Sequence, residues 1–463
     1  MNVARHNEPG FAAKVAQLAG PSSLFDPEIE ERARRIVLDV ETRGDNALVE
    51  FTERFDGAKL RAEQLAISSA ELLSASVRAS DELRQTLAFA IENIESFSRR
   101  AVRQTWSCKN AQGALVGEKF DPFRRVGIYV PGGTAPLIST ALMTIVLARV
   151  AGCPEIVVCT PCNSQGEVHP ALLLAARMAG ATEMYRIGGA QAVAALAVGT
   201  RTIARVDKLF GPGNAYVVAA KRLLFGRVAI DLLPGPSEIL VLADDSSNPA
   251  FAAADLLAQA EHGSGHERVW LITTSAKLIA AVQREIKRQL PQLARRQFVE
   301  RALDHGGWLI QTRTIDDAIA LANRIAPEHC EIMMRNASAV VDRLLTSGAI
   351  FIGSWTPTVL GDYVAGPSHT LPTGGAGRSF AGLTMNQFQR RTNMVQYDRA
   401  SLQKSLDAVR AFARLEGLDG HLKSAAIRVV SKSTSSARLS QMRAKFFAQT
   451  RGTKTAARKR SKP

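Results

Sequence analysis

The chain has 463 residues, of which 46% are hydrophobic and 22% are charged, the profile of a soluble globular protein with about two or three domains. Its 34 glycines, 19 prolines and five cysteines exclude a collagen-like chain, a low-complexity chain and a disulfide scaffold. Lys and Arg total 58 against 43 Asp and Glu, a formal net charge of +15, which raises the question of nucleic-acid binding.

The basic charge is concentrated at the C-terminal end. Twelve of the 58 Lys and Arg lie between Lys423 and Lys462, a stretch without Asp or Glu. The remaining 46 basic and 43 acidic residues leave a net charge of +3, so the body of the chain is close to neutral. From about Ser431 the Ser/Thr/Lys/Arg-rich composition predicts a mostly disordered tail. Binding of nucleic acid through this tail is one alternative function.

The sequence predicts neither an N-terminal signal peptide nor a membrane span. The opening residues, MNVARHNEPG, contain no apolar core and do not predict a signal peptide. The apolar stretch 141–148 is broken by Arg149, far short of the roughly 20 residues that a membrane span needs. We therefore expect a cytoplasmic protein with reduced thiols.

In chain order, charged helical residues from Glu28 to Arg103 precede an alternation of strand and helix patterns. Five short apolar or β-branched runs predict strands: Arg125–Val130, Glu155–Cys159, Ser237–Leu242, Arg268–Thr273 and Ala349–Ile352. His169–Arg177 predicts a helix that Gly180 ends. After Thr384 the strand patterns stop, and a small helical segment is expected.

The continuous apolar runs favour strands that are buried on both faces, as in a parallel sheet covered by helices. Asn248 and Pro249 predict the N-cap and first residue of one such helix, which runs through Leu257. The sequence therefore predicts an α/β fold with more than one sheet.

Gln259 and His262 form the first polar cluster, near the C-terminal end of that helix. They are three residues apart, so both side chains leave one helix face. Histidine is a good zinc ligand and an amide oxygen an uncommon one, and taken alone the pair is typical of polar surface. His266 is expected to be exposed, because Gly263 and Gly265 end the helix before it.

Glu328 and His329 form the second cluster, after a helix with a capping box at Thr314 and Asp317. Pro327 breaks the chain before them, so both side chains can enter a cleft. A carboxylate beside an imidazole supplies two proton-transfer groups with different pKa values, although exposed Glu-His pairs are common. The neighbouring Cys330 could attack an aldehyde as a thiolate, but a buried inert thiol is the favoured interpretation.

Two further clusters complete the candidates. Asp362 and His369 lie among many glycines, which predicts a loop that approaches a ligand closely. Glu416 and His421 lie in the helical C-terminal segment. Gln259, His262, Asp362 and His421 would give a mixed nitrogen and oxygen set suited to zinc, but spacing alone does not show that they converge.

Two common functional motifs, the zinc ribbon and the dinucleotide-binding fingerprint, are present only in part. Cys159-Thr-Pro-Cys162 matches C-x-x-C, but no second pair follows at zinc-ribbon spacing, so we interpret it as structural. Gly211-Pro-Gly213-Asn-Ala-Tyr216 supplies only part of a G-x-G-x-x-G dinucleotide fingerprint. From the residues alone the prediction is an α/β enzyme with a polar cleft that could hold a metal.

The clusters occur together with four longer motifs, and in this order the chain resembles the histidinol dehydrogenase family from the N-terminal helices to His421. The motifs are Gly127-Ile-Tyr-Val-Pro-Gly-Gly133, Gly188-Gly-Ala-Gln-Ala192, Phe210-Gly-Pro-Gly-Asn-Ala-Tyr216 and Gly235-Pro-Ser-Glu238. The resemblance implies a zinc-containing, NAD-dependent homodimer that oxidises L-histidinol through L-histidinaldehyde to L-histidine, reducing two NAD.

The resemblance also implies the site residues. The implied zinc ligands, which also contact substrate, are Gln259, His262, Asp362 and His421. The implied acid/base pair is Glu328 and His329. The further implied substrate contacts are Ser237, His369 and Glu416, with His329 again, and the implied NAD contacts are Tyr129, Gln191 and Asn214. Because the family's C-terminal segment crosses to the partner subunit, Glu416 and His421 would complete the other chain's site.

The resemblance further implies two incomplete Rossmann-like domains, one inserted in the other. The expected divisions are an N-terminal helical segment (1–25), a discontinuous catalytic domain (26–129 and 237–383), an inserted domain on the NAD side (130–236), a helical C-terminal segment (384–430) and the basic tail (431–463). Small helical N- and C-terminal segments would be exchanged in the dimer.

The chain departs from the family pattern at Pro234, where alanine is usual, and at Cys330, where leucine is usual. We interpret Cys330 as a packing substitution. The closest alternative function is a related zinc/NAD dehydrogenase of another small polar alcohol, such as a sulfonated diol.

Overall fold

The computed structural model describes residues 1–18, 26–132 and 136–430, so Gly133 and the basic tail lie outside the described residues. The strands are β1 (Asn2–Arg5), β2 (Trp106–Lys109), β3 (Leu115–Pro122), β4 (Arg125–Tyr129), β5 (Glu155–Thr160), β6 (Glu183–Arg186), β7 (Lys208–Phe210), β8 (Ala229–Ile230), β9 (Glu238–Ala243), β10 (Arg268–Thr273), β11 (Gly307–Gln311), β12 (His329–Met333), β13 (Ala349–Ile352) and β14 (Gln389–Gln396).

The helices lie between these strands and at both ends of the described chain. They are α1 (Phe11–Leu18), α2 (Pro27–Arg43), α3 (Asp45–Asp56), α4 (Ser69–Arg78), α5 (Asp81–Arg99), α6 (Ile138–Ala151), α7 (Pro170–Ala179), α8 (Gly189–Val198), α9 (Ala215–Leu224), α10 (Pro249–Ala260), α11 (Ala276–Gln289), α12 (Arg296–Gly306), α13 (Ile315–Ile325), α14 (Ser338–Val341), α15 (Val359–Tyr363), α16 (Arg399–Leu415) and α17 (Asp419–Val430).

Two parallel sheets form the body of the first unit, which comprises residues 1–102 and 122–388. A six-stranded sheet has the order β1-β11-β10-β9-β12-β13, and a five-stranded sheet has the order β6-β5-β4-β7-β8. Alternate residues of β9 enter the two core clusters of the six-stranded sheet, Ile239 on one face and Leu240 on the other. Both faces of the strand are therefore buried, and the predicted α/β fold with parallel sheets is confirmed.

Local signals in the sequence set the main element boundaries. The strands β10 and β13 have the predicted bounds, and β4, β5 and β9 differ from the predictions by about one residue. Asn248 caps α10 by accepting a hydrogen bond from Ala250 N at 2.9 Å. Gly180 ends α7 with φ 112°, a conformation that glycine adopts readily.

Three features differ from the sequence-based expectations. The first residues form β1, which pairs in parallel with β11 and extends the six-stranded sheet, whereas a purely helical start was expected. Strands do not stop at Thr384, because β14 follows. The strand β4 lies in the five-stranded sheet, on the other side of the boundary that we placed after residue 129; the domain division itself stays a prediction.

The second unit comprises residues 103–121 and the chain from Gln389 onward. It contains a three-stranded sheet of order β14-β3-β2, in which β2 and β3 are antiparallel, and the helices α16 and α17, which pack against each other. The Arg399 guanidinium ties the two helices by donating to Val429 O at 2.7 Å. Within the described residues, no helix has the length and apolar character needed to cross a membrane.

Candidate active site

A cleft of about 1310 Å³ in the first unit is lined by strand ends from both parallel sheets. The six-stranded sheet contributes the amino ends of β9, β10 and β12, including Ser237, Arg268 and His329. The five-stranded sheet contributes segments that follow the carboxyl ends of β4 and β7, including Pro131 and Asn214. Open α/β sheets bind ligands outside the carboxyl ends of their strands, so the five-stranded sheet presents its expected ligand edge here.

Glu328 and His329 enter this cleft because α13 ends abruptly before them. Thr314 and Asp317 cap the start of the helix as predicted, and Ala326 ends it with φ 51°, the one positive φ of a non-glycine residue among the described residues. Such a conformation is costly for alanine. It turns the chain so that β12 begins at His329, which leaves both side chains at the amino end of the strand.

His329 is buried and held in one orientation. Its Nδ1 lies 2.9 Å from Glu238 O, a carbonyl that can only accept, so Nδ1 donates and Nε2 carries the lone pair. Nε2 lies 3.9 Å from Asp362 Oδ1. Burial lowers the pKa of His329, against the opposing charge of Asp362. The imidazole is therefore kept neutral near pH 7 and can accept a proton at Nε2.

Burial shifts the pKa of Glu328 in the opposite direction to that of His329. Its Oε2 accepts a hydrogen bond from Glu238 N at 2.8 Å and lies 3.5 Å from His329 Nδ1. Burial raises the pKa of Glu328 well above its ordinary value, and the negative charges of Glu238 and Asp362 add to that shift. The adjacent acid and base thus differ in protonation because burial disfavours the charged form of each.

The predicted zinc ligands of the first unit are Gln259, His262 and Asp362. The Gln259 amide is buried, and its Nε2 has no hydrogen-bond partner among the described residues. His262 Nδ1 lies 3.0 Å from Gln259 O, so Nδ1 donates and Nε2 is free to bind a metal. His262 and Asp362 both line the cleft. The chemistry of these three side chains fits the mixed donor set expected for zinc, in which the Gln259 amide oxygen, His262 Nε2 and an Asp362 carboxylate oxygen would be the binding atoms.

His369 lies beside these groups. Its Nδ1 lies 3.0 Å from Asp362 O and its Nε2 lies 3.2 Å from Thr140 Oγ1. Burial lowers the pKa of His369. Ser237 and His369, two of the predicted substrate contacts, also line the cleft.

Glu416 and His421 belong to the second unit, where Glu416 follows the last residue of α16 and His421 lies in α17. Both side chains are exposed. Across residues 1–18, 26–132 and 136–430, no three histidine, cysteine or acidic side chains are grouped to hold a metal ion. The predicted set includes a glutamine and needs His421 as its fourth member, so the zinc site stays a prediction.

The predicted NAD contacts occupy different environments. Asn214 is exposed on the cleft and caps α9 by accepting from Tyr216 N and Val217 N. Tyr129 is buried, and its hydroxyl accepts from Gly189 N at 3.1 Å. Gln191 is also buried, and neither polar atom of its amide has a partner in the described part of the chain. The orphaned amide is consistent with a polar ligand near α8.

The loop before Asn214 is held by a buried ion pair that the sequence-based reasoning missed. Lys221 Nζ donates to Gly211 O at 2.9 Å and pairs with Asp231, whose Oδ2 accepts from Gly211 N at 2.8 Å. At Gly211, φ is 108°, and a Cβ atom there would lie 2.0 Å from Tyr129 O. Only glycine fits this approach.

The comparisons with known proteins agree with the resemblance. The family model described as histidinol dehydrogenase matches residues 22–429. The histidinol dehydrogenase of Synechococcus sp. is 46% identical over 399 residues, covering 86% of this chain and 92% of its own length. The chain belongs to the histidinol dehydrogenase family. The corresponding relative from Geobacillus kaustophilus is 44% identical over 423 residues, covering 90% of this chain and 99% of that protein.

A solved structure supports the same assignment at the level of the fold. The crystal structure of histidinol dehydrogenase from Elizabethkingia anophelis has a TM-score of 0.88 to this chain at 34% identity, and covers 93% of this chain and 98% of that one. Histidinol dehydrogenases are NAD-dependent oxidoreductases of histidine biosynthesis that use zinc. These findings give no support to the alternative of a sulfonated-diol dehydrogenase.

The sequence analysis assigned no role to Glu238, Arg268, Asp255 or Glu331. Arg268 lines the cleft, and Glu238 pairs with it. A signal for two of them was present, since Glu238 and Glu331 are acidic residues on buried, mainly apolar strands. A buried acid needs a compensating partner, and that partner is not visible in the sequence.

Proposed function

We propose that this chain catalyses the four-electron oxidation of L-histidinol through L-histidinaldehyde to L-histidine in the described cleft. The observation that carries the proposal is the adjacent buried pair Glu328 and His329, both held by the Glu238 main chain, with His329 Nε2 facing the Asp362 carboxylate at 3.9 Å. An alcohol oxidation followed by an aldehyde oxidation needs a base in each step and an activated water in the second.

Each proton transfer is assigned to a named atom. In the first step His329 Nε2 accepts the proton of the substrate hydroxyl as the carbon loses a hydride. In the second step the Glu328 carboxylate removes a proton from a water that adds to the aldehyde carbon, giving the hydrated aldehyde. During this addition the protonated His329 gives its proton to the aldehyde oxygen and becomes neutral again. His329 Nε2 then accepts a hydroxyl proton of the hydrate as the second hydride leaves, which gives the carboxylic acid. When bound, NAD accepts the hydride, and zinc orients the imidazole and amine of the substrate.

Substrate and metal would be held by residues of two subunits in this proposal. Gln259, His262 and Asp362 would bind the zinc ion together with His421 of the partner subunit. Ser237 and His369 would contact the substrate together with Glu416 of the partner subunit. The proposal therefore includes a homodimer with shared sites, located in the cytoplasm, and NAD held at Tyr129, Gln191 and Asn214.

The test is the yield of NADH per L-histidinol in metal-free and zinc-reconstituted samples of the full chain. We expect two NADH per substrate after zinc is restored and a large loss of turnover without it. A yield of one NADH with accumulation of aldehyde would contradict the second half of the proposal. Equal turnover with and without zinc would contradict the role of the metal.

A further inference from the structure

An ion pair at the amino ends of β9 and β10 lies directly behind the proposed acid/base pair. Glu238 and Arg268 are opposite each other in the sheet register, and Arg268 Nε lies 3.0 Å from Glu238 Oε1. The Glu238 side chain is 1% exposed, whereas Arg268 lines the cleft and packs over the Trp270 ring at 4.9 Å. A carboxylate this deeply buried is stable only if its charge is compensated.

The main chain of Glu238 contacts both proposed proton-transfer residues. Glu238 N donates to Glu328 Oε2 at 2.8 Å, and Glu238 O accepts from His329 Nδ1 at 2.9 Å. The first bond fixes one carboxyl oxygen of Glu328. The second fixes the tautomer of His329 that leaves Nε2 free to accept a proton.

The side chain of Glu238 holds the surrounding backbone in place. Its Oε2 accepts from Glu328 N at 3.3 Å and its Oε1 accepts from Gly374 N at 3.0 Å. The two main-chain amides donate to these oxygens, and the cationic Arg268 side chain forms an ion pair with one of them. An amide at this position would turn an NH₂ group toward one of those donors, so Glu238→Gln is nearly isosteric but mismatched.

We propose that Glu238, neutralised by Arg268, is a positioning residue that sets the orientation of both Glu328 and His329 in the reaction. This inference rests on the proposed roles of those two residues. Glu238 is not among the residues that line the cleft, so its effect falls on the alignment of the proton-transfer groups rather than on contacts with substrate. Small misalignments of such groups are costly, on the order of 100-fold in rate for about 1 Å.

The test compares kcat and KM for L-histidinol in Glu238→Gln with those of the wild type. We expect kcat to fall about 10- to 100-fold, while KM stays within about twofold because Ser237 and His369 remain in place. Zinc content should equal that of the wild type. A rise in KM at unchanged kcat, or a kcat equal to that of the wild type, would overturn the inference.

A matched control separates positioning from loss of stability. Glu183 accepts two hydrogen bonds from Arg125, at 2.6 and 2.7 Å, in the five-stranded sheet. Glu183→Gln also removes one carboxylate from an Arg–Glu pair, and we expect it to lower the melting temperature but leave kcat unchanged. Equal losses of kcat in both variants would show a general structural effect and overturn the inference.

A second variant keeps the proposal testable if Glu238→Gln does not fold. Arg268→Lys retains the positive charge but replaces the guanidinium that pairs with Glu238. We expect a fall in kcat at constant KM that is smaller than the fall in Glu238→Gln. An Arg268→Lys enzyme with normal kcat would then overturn the inference. If the wild type itself forms no NADH from L-histidinol, it is the proposed function that fails, and this result is distinct from any of the above.

Discussion

The same buried environment shifts the pKa values of Glu328 and His329 in opposite directions. Both side chains are almost fully buried, with exposed fractions of 8% and 4%. Because desolvation disfavours charge, it raises the pKa of the acid and lowers that of the base. Both side chains are therefore neutral at rest, and the raised pKa makes Glu328 a stronger base toward water once it has lost its proton.

The role of Glu328 is tested by Glu328→Gln. The amide keeps the size of the side chain and an oxygen for the hydrogen bond from Glu238 N, but it cannot take a proton from water. We expect alcohol oxidation to continue and the aldehyde step to slow by about 100- to 10,000-fold, the usual contribution of a general base. Stopped-flow measurement of the first and second NADH resolves the two steps. Equal losses in both would contradict the division of roles.

Cys330 is the residue whose chemistry the sequence left open. It is fully buried in the core cluster that contains Leu240 and Leu242, and burial raises its pKa to about 12. The thiol is thus protonated and lies in the hydrophobic core, where it cannot act as a nucleophile.

Cys330→Ala is therefore expected to retain near-normal turnover. It should lose about 1–2 kcal/mol of stability through the packing that the sulfur provides. Steady-state kinetics and thermal unfolding measure the two effects. Loss of aldehyde oxidation in a folded Cys330→Ala enzyme would instead support a covalent thiohemiacetal.

At the scale of elements, the boundaries that could be predicted were those with a local physical cause. Uninterrupted apolar runs identified β5, β9 and β10, and side-chain caps identified the starts of α10 and α13. The strand β14, Gln389–Gln396, carries mainly polar residues and is partly exposed along its length. Its pairing with β3 depends on a segment more than 250 residues away by sequence number, so no local pattern indicates it.

The residues of the candidate site also divide into those with a local signal in the sequence and those without one. Glu328 and His329 were found because a helix stop places them side by side, whereas the grouping of His262 with Asp362 and His369 came from the family resemblance. Glu238 went unnoticed because its importance lies in hydrogen bonds to Glu328 and Gly374, at separations of 90 and 136 residues. Sequence spacing carries no information on such contacts.

The elements α10 and β12 also share a buried carboxyl pair. Asp255 and Glu331 are close enough for the charge of Asp255 to act on Glu331, and neither Glu331 oxygen has a hydrogen-bond partner among the described residues. Burial, together with the charge of Asp255, raises the pKa of Glu331. The native state therefore keeps a proton on Glu331 that the unfolded chain releases above the ordinary glutamate pKa.

The free energy of unfolding is expected to fall as pH rises from the ordinary glutamate pKa toward the raised pKa of Glu331. In that range the native state binds more protons than the unfolded state. Glu331→Gln supplies a permanent donor to Asp255 and removes the loss of stability that titration of Glu331 causes. We expect its melting temperature to exceed that of the wild type by about 2–5 °C at pH 8 and to converge with it near pH 4. Thermal unfolding across this pH range measures the effect, and an equal gain at both pH values would argue against the buried proton.

At the scale of the whole molecule, the net charge of +15 does not indicate the function. The charge belongs largely to the sequence from Lys423 to Lys462, most of which lies outside the described residues. The candidate catalytic groups lie in the first unit except for Glu416 and His421 in the second. Whether a site draws both units from one chain or from two is therefore the main question at this scale.

Mixing of two inactive variants answers that question. Gln259→Ala removes a proposed zinc ligand from the first unit, and His421→Ala removes one from the second, so each variant alone should have little activity. If sites are shared between subunits, a mixed dimer combines one intact first unit with one intact second unit and forms one good site. Random pairing of equal amounts would then restore about one quarter of wild-type activity, as expected for a two-fold symmetric dimer.

If each site used residues of a single chain, both variants would carry a damaged site in every combination, and co-refolded mixtures would stay inactive. Co-refolding the two variants at varied ratios, with NADH formation as the readout, should give an activity maximum at equal amounts.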